Sequence, residues 1–164
     1  MTPLLFKTTD KFHLGVTVRA PYTQLYLHVV SATWDRLPLI TPTVETSLYA
    51  AMVAKCRDLK CQTIAIGGTE DHVHFLARIP ATIAVADFVK NIKGSSSHLI
   101  THRVDRRAGF KWQGAYGAFT ISKSGVDRVA EYIRNQKIHH TNRQLIEELE
   151  RCEEDFAANS FAAT

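Results

Sequence analysis

The order in which two hydrophobic periodicities alternate along this chain constrains its fold more than any other feature. Gln24 to Thr33 is rich in β-branched and aromatic residues and reads as a first strand. Asp35 to Pro42 follows as a loop containing Pro38 and Pro42. Thr43 to Lys60 carries Val44, Leu48, Ala51, Met52 and Leu59 at a helical period, with Thr43 as its expected N-cap. Cys61 to Ile66 and His72 to Ile79 are two further strands, joined by the short Gly-rich turn Gly67 to Asp71. Thr82 to Lys93 reads as a second helix, continuing in some form through Gly94 to His102, and Ala115 to Ile121 as a fourth strand. Ser124 to His140 is a third helix, capped by Ser124 or Ser122, and Asn142 to Asn159 a charged, amphipathic fourth. A β-α-β-β-α-β order is the ferredoxin-like pattern, an antiparallel sheet with two helices on one face. The expected fold class is therefore α+β, with two additional C-terminal helices.

A chain of 164 residues suits one such domain, here 21–164, preceded by a loosely attached extension over 1–20. Three cysteines with no C-x-x-C spacing argue against a disulfide framework and for a reduced, cytoplasmic setting. No apolar run approaches the ~18 residues of a membrane span. The first twenty residues also lack a signal-peptide layout, since Lys7, Asp10, Lys11 and Arg19 interrupt their apolar pieces. A net charge of +4 is compatible with nucleic acid without demanding it. The local distribution is more informative. Lys90, Lys93, Arg103, Arg106, Arg107 and Lys111 face a single acid, Asp105, whereas Glu147 to Asp155 is mostly acidic.

Two short stretches carry the chemistry. In Asp71-His72-Val73-His74 the histidines stand at i and i+2 of a strand, so both imidazoles reach one face and one cation. In Tyr132-Ile133-Arg134-Asn135-Gln136 the tyrosine and glutamine stand at i and i+4 of a helix and project together. Each stretch also has an ordinary reading: packed or solvated histidines, a half-buried helical tyrosine, a solvated glutamine. Asp71 either orients an imidazole or serves the turn. His139 and His140 fall near the same helix face, so either is an alternative to Gln136 as a third ligand, or both simply suit a helix C-terminus.

A phenol with a reference pKa near ~10 is a weak nucleophile at neutral pH, and a divalent cation that polarises a phosphodiester makes its attack feasible. Neutral imidazoles with an amide oxygen suit Mn²⁺ or Mg²⁺, whereas a structural zinc site calls for a fourth protein ligand and a thiolate. A covalent phosphotyrosine would keep the bond energy needed to rejoin strands without ATP.

From Tyr22 to Leu149 the chain resembles the single-tyrosine transposases of the HUH superfamily, the insertion-sequence-200-like class. The matching residues occur in order: Leu27-His28-Val29-Val30, then Asp71-His72-Val73-His74-Phe75-Leu76 and Ile92-Lys93-Gly94-Ser95-Ser96. Phe110-Lys111-Trp112-Gln113, Tyr116-Gly117-Ala118-Phe119 and Tyr132 to Gln136 with His139-His140 complete the set. The resemblance implies that His72 and His74 bind a divalent metal, Gln136 adds a third ligand and Tyr132 attacks DNA. It implies single-stranded substrates folded into hairpins, a 5′-phosphotyrosine linkage, and a homodimer with shared active sites. In such a dimer a partner's tyrosine helix completes the metal site, the arrangement expected here. The chain departs from the family at Ala115, where a second glycine is common, and at His98, where a larger aromatic is usual.

Lys90, Lys93, Arg103 and Lys111 are expected to meet phosphates, Ser95 and Ser96 to offer hydroxyl donors, and Trp112 to stack on bases. Tyr116 shares that stacking expectation, while Phe119, in an apolar strand, reads as core. Together these residues point to a transposase. A related nuclease acting on chromosomal palindromic repeats is the runner-up, and a non-catalytic nucleic-acid-binding module on the same sheet is the reading from another class.

Overall fold

The computed structural model of the chain describes residues 21–106 and 109–152. The expected extension over 1–20, Arg107, and the far end of the expected fourth helix lie outside the described residues. Four strands form one antiparallel sheet in the order β2-β3-β1-β4: β1 Leu25–Ala32, β2 Gln62–Gly68, β3 His72–Ile79 and β4 Gly117–Ile121. Helices α1 Pro42–Asp58 and α2 Val85–Leu99 stand in the two crossovers, which gives the expected β-α-β-β-α-β order.

Strand alternation sorts the side chains into two cores. Leu27, Val29, Val73, Phe75 and Ala77 point to one face, where Val44, Leu48 and Met52 of α1 and Phe88, Val89 and Ile92 of α2 cover them. Burying each such side chain contributes about 1.5–3 kcal/mol. Tyr26, Ala65 and Leu76 point to the other face. There α3, Val126–Arg134, lays down Val126, Val129, Ala130 and Ile133, a helical stripe at i, i+3, i+4 and i+7. His28, His72 and His74 share this second face because their positions match those of Tyr26 and Leu76 in the two-residue period.

Several boundaries differ from expectation for local reasons. Thr41, not Thr43, caps α1: its Oγ1 accepts from Val44 N at 3.4 Å, and Pro42 opens the helix where no N–H is needed. Residues Trp34–Arg36 form a 3-10 turn rather than plain loop, with Asp35 and Arg36 both at φ 53°. β2 runs through both glycines to Gly68, so the turn is Thr69 to Asp71. α2 continues into a wider π-helical turn over Ile100–Val104. The expected third helix is two: Asn135 (φ −100°, ψ 16°) ends α3, and α4 Gln136–Asn142 follows it. Arg143, at φ 54°, closes α4 in the left-handed region, and the fourth expected helix is only the single turn α5, Glu147–Glu150. No helix among the described residues is long and apolar enough to cross a membrane.

Candidate active site

The site forms where β3, the α3–α4 break and the C-terminal segment meet. His72 opens β3 directly after a turn tied down on both sides. Thr33 N and Thr33 Oγ1 both donate to Asp71 O, at 2.8 and 3.0 Å. The Asp71 carboxylate lies 2.6 Å from His72 Nδ1, and Thr69 Oγ1 lies 2.8 Å from the same nitrogen. A proton on Nδ1 therefore serves Asp71, and His72 Nε2 faces the site. His74 is fixed from behind in the same way, its Nδ1 lying 3.0 Å from His28 Nε2.

Close approach of α3 depends on one glycine. A Cβ on Gly67 would sit 2.1 Å from the Ile133 carbonyl oxygen, so only glycine lets this end of the helix reach β2. That contact carries Tyr132 to the histidines, its ring 6.2 Å from that of His74 and stacked 4.7 Å from that of His139. Tyr132 and Gln136 thus reach His72 and His74 of their own chain. The expectation that a partner's tyrosine completes the site concerns a second chain; within this one, α3 buries its apolar stripe on its own sheet and sets Tyr132 beside its own histidines.

The group that gathers these side chains is one that sequence reasoning missed. Glu150 Oε1 accepts a short hydrogen bond from the Tyr132 hydroxyl and another from Gln136 Nε2 at 3.1 Å. Its Oε2 lies 3.4 Å from His72 Nε2, 3.2 Å from His74 Nε2 and 3.6 Å from His140 Nε2. In the sequence Glu150 is one acid of an acidic tail, and no spacing distinguishes it from Glu147 or Glu148. The Ile146 amide also donates to the Tyr132 hydroxyl, at 3.1 Å.

Burial and charge set the protonation states. Burial alone would lower the His72 pKa, but hydrogen bonds and charge from Asp71 and Glu150 outweigh it and push the pKa up to about 9. Burial, reinforced by the neighbouring His74, pushes His28 down to about 3, and burial also lowers His74. The Tyr132 phenol is raised, by burial first and then by its hydrogen bond to the Glu150 carboxylate. Burial would raise Glu150, yet its bonds to His72 and His74 hold it well below the usual carboxylate range.

The donor set fits a divalent cation. Among the described residues, donors of His72, His140 and Glu150 lie within 4.8 Å of one another, and His74 approaches the same carboxylate oxygen. Gln136 Oε1 and His140 Nε2 are buried without a hydrogen-bond partner, and His72 Nε2 has only the Glu150 carboxylate at 3.4 Å, an arrangement that is costly unless something binds them. Imidazole, amide and carboxylate donors with no thiolate suit Mg²⁺ or Mn²⁺.

Residues 21–136 match the family described as "Transposase IS200 like". The chain belongs to this family. Two solved structures share the fold of this IS200-like transposase. A candidate transposase from Deinococcus radiodurans R1 is 24% identical, with a TM-score of 0.57 over 73% of this chain and 96% of that one. A REP-associated tyrosine transposase bound to a REP hairpin is 17% identical, with a TM-score of 0.57 over 75% of this chain and 73% of that one. A search of curated proteins finds no match.

The expected DNA-contacting residues of this transposase divide by burial. Lys90, Arg103 and Lys111 are exposed. Lys111 Nζ sits 3.3 Å above the ring centre of Trp34, a half-exposed aromatic that sequence reasoning also passed over. Lys93 is instead turned inward, donating to the carbonyls of Gln113, Gly114 and Ala115 at 2.6, 3.3 and 3.1 Å. Ser96 and Trp112 are buried, and Trp112 Nε1 donates to Ser96 Oγ at 3.1 Å. The expectation that they offer a hydroxyl and a stacking surface is corrected: they join α2 to the strand-like segment before β4. Ser95 Oγ donates back to the Ile92 carbonyl at 3.2 Å. Phe119 is half-buried, as its apolar strand suggests, with its ring 5.6 Å from that of His28.

Proposed function

We propose that this transposase cuts and rejoins single-stranded DNA at hairpin-bearing element ends, with Tyr132 as the nucleophile. One observation carries the reading. From three separate elements, Tyr132, Gln136, His72 and His74 converge on one carboxylate in a chain of the IS200-like family. Tyr132 Oη attacks the phosphorus, the bond to the 3′ oxygen breaks, and the strand is left joined through its 5′ phosphate to tyrosine. A 3′-hydroxyl attacking that linkage reverses the step and releases the phenol, so rejoining needs no ATP.

His72, His74 and Gln136 are the residues we assign to a divalent cation, Mg²⁺ or Mn²⁺, with His140 beside them. When bound, that ion supplies electrophilic polarisation of the phosphoryl oxygens. The chain's own residues do the rest. Asp71 and His28 hold the imidazoles in one orientation, and the Ile146 amide and Glu150 fix the phenol oxygen. Glu150 is the carboxylate within reach of the phenol's proton as the oxygen attacks.

The hairpin substrate is supported by the solved relative that holds a REP hairpin and by the exposed basic residues Lys90, Arg103 and Lys111. We place the protein in the cytoplasm, at DNA, and take one chain as the catalytic unit, since both halves of the site meet within it. Hairpin-bearing single-stranded DNA incubated with the protein and Mn²⁺ should give a covalent adduct on a denaturing gel. Loss of that adduct in Tyr132→Phe supports the assignment, and unchanged cleavage in the variant removes it. A nuclease specialised for dispersed palindromes would form the same adduct but not join it to a second strand.

A further inference from the structure

The family match ends at Gln136, yet Glu150, which gathers the site, lies 14 residues further on. The segment carrying it is anchored by contacts that involve none of the histidines. Arg151 runs so close to Gly117 that a Cβ there would come within 1.9 Å of its carbonyl oxygen. Cys152 is buried against Val30 and Ala32, and Arg36 Nη2 donates to its sulfur at 3.0 Å. Backbone packing against β4 and β1 therefore delivers the glutamate to the imidazoles.

The carboxylate stands where a coordinating atom would stand. Around one cation with ~2.1 Å bonds, neighbouring donor atoms keep ~3.0–3.4 Å between them. Glu150 Oε2 lies 3.4 Å from His72 Nε2 and 3.2 Å from His74 Nε2. Those separations leave the carboxylate oxygen and both nitrogens free to share one ion with little movement of any of the three side chains. His72 Nε2 has only that carboxylate beside it, and Gln136 Oε1 is buried without a hydrogen bond, in side chains only 1% exposed.

We infer that Glu150 is a metal ligand of this transposase, adding a carboxylate from the C-terminal segment to the imidazoles of His72 and His74. The inference rests on the metal-dependent function proposed above. A carboxylate gives an otherwise neutral donor set one negative charge, which strengthens its hold on a hard divalent cation. Its other oxygen keeps the Tyr132 hydroxyl, so one side chain fixes the distance between nucleophile and ion site.

The test is titration of the full chain with Mn²⁺ alone, without DNA, read by calorimetry and by the resonance signal of free Mn²⁺. Glu150→Gln, which keeps the shape and removes the charge, is expected to raise the Mn²⁺ Kd by about tenfold or more. Glu147→Gln, an exposed neighbour on the same turn, should leave it unchanged. Gly117→Ala, which displaces Arg151, should weaken binding in the same direction as Glu150→Gln and covers the case in which that variant fails to fold. A Kd in Glu150→Gln equal to or below wild type overturns the inference, a lower one showing that the carboxylate competes with the ion. Adduct formation by the wild-type chain is scored in parallel. An adduct together with unaltered Mn²⁺ binding in Glu150→Gln removes the ligand but leaves the function standing. Absence of any wild-type adduct removes the function, whatever the titration gives.

Discussion

His28 and His74 stack within the sheet with ring centres 5.2 Å apart, and His28 Nε2 lies 3.0 Å from His74 Nδ1. Both rings are buried and both pKa values are lowered, so this is a hydrogen bond between neutral imidazoles. For His74 to present a bare Nε2 to the site, its Nδ1 must carry the proton and donate to His28. Without an ion, His74 Nε2 lies 3.2 Å from the Glu150 carboxylate and shares its proton with it, so ion binding moves the proton to Nδ1, where His28 on β1 stands ready to accept it.

Replacing His28 with Phe keeps a ring in the stack and removes the acceptor. Mn²⁺ affinity should fall by about 10–100-fold, the usual effect of losing a group that orients a ligand. Calorimetric titration of the folded variant measures it, and an unchanged Kd would show that His74 needs no such partner.

Gly67→Ala places a methyl against the Ile133 carbonyl, which belongs to backbone and cannot swing aside. Overpacking of this kind costs about 1–3 kcal/mol, visible as a lower denaturant midpoint. Because the displaced element carries Tyr132, adduct yield should fall further than stability does. A misplacement near 1 Å is sufficient for about 10²-fold.

In chelator, thermal stability should peak close to pH 6.5. His72 is raised from 6.5 to about 9, so its contribution is complete below 6.5 and is lost as pH rises through 9. His28 is lowered from 6.5 to about 3, and its contribution is lost as pH falls from 6.5 towards 3. Melting temperatures across this range test both limbs. Asp71→Asn should flatten the alkaline one, since Asp71 is a main cause of the His72 shift.

Mixing Tyr132→Phe protein with His72→Ala protein should restore no cleavage. Both mutations damage the same intrachain site, and neither chain can lend what the other lacks. Recovery of adduct in the mixture would show that protomers exchange tyrosine helices.

Arg103→Ala should weaken single-stranded DNA binding and reduce the slope of log K against log salt by about 0.7, the single-strand increment for one phosphate contact. Ser96→Ala should leave that slope alone. It should instead cost about 1–3 kcal/mol of stability by stranding the buried indole N–H of Trp112. Salt titrations and denaturant melts separate the two.

Much of this molecule is legible without coordinates because it is local. The two-residue period of β3 places His72 and His74 on one face before any fold is drawn, and the helical spacing puts Tyr132 with Gln136, whereas His28 joins the pair only through the register of β1 on β3. Capping at Thr41 falls two residues from the expected Thr43, whereas the break at Asn135 lies inside a stretch whose pattern reads as one helix from Ser124 to His140. What sequence alone leaves open involves surfaces that meet across long separations. A buried serine and tryptophan look like a DNA-facing hydroxyl and aromatic until the strand-like segment before β4 is seen to seat one on the other. A tyrosine helix gives no sign of whose sheet it covers, and only the packing of α3 on β2 and β3 brings Tyr132 to its own histidines. Glu150 is one acid among several in the tail. Its place beside Tyr132, Gln136, His72 and His74 follows from where the segment around Arg151 and Cys152 docks, and tertiary packing alone decides that.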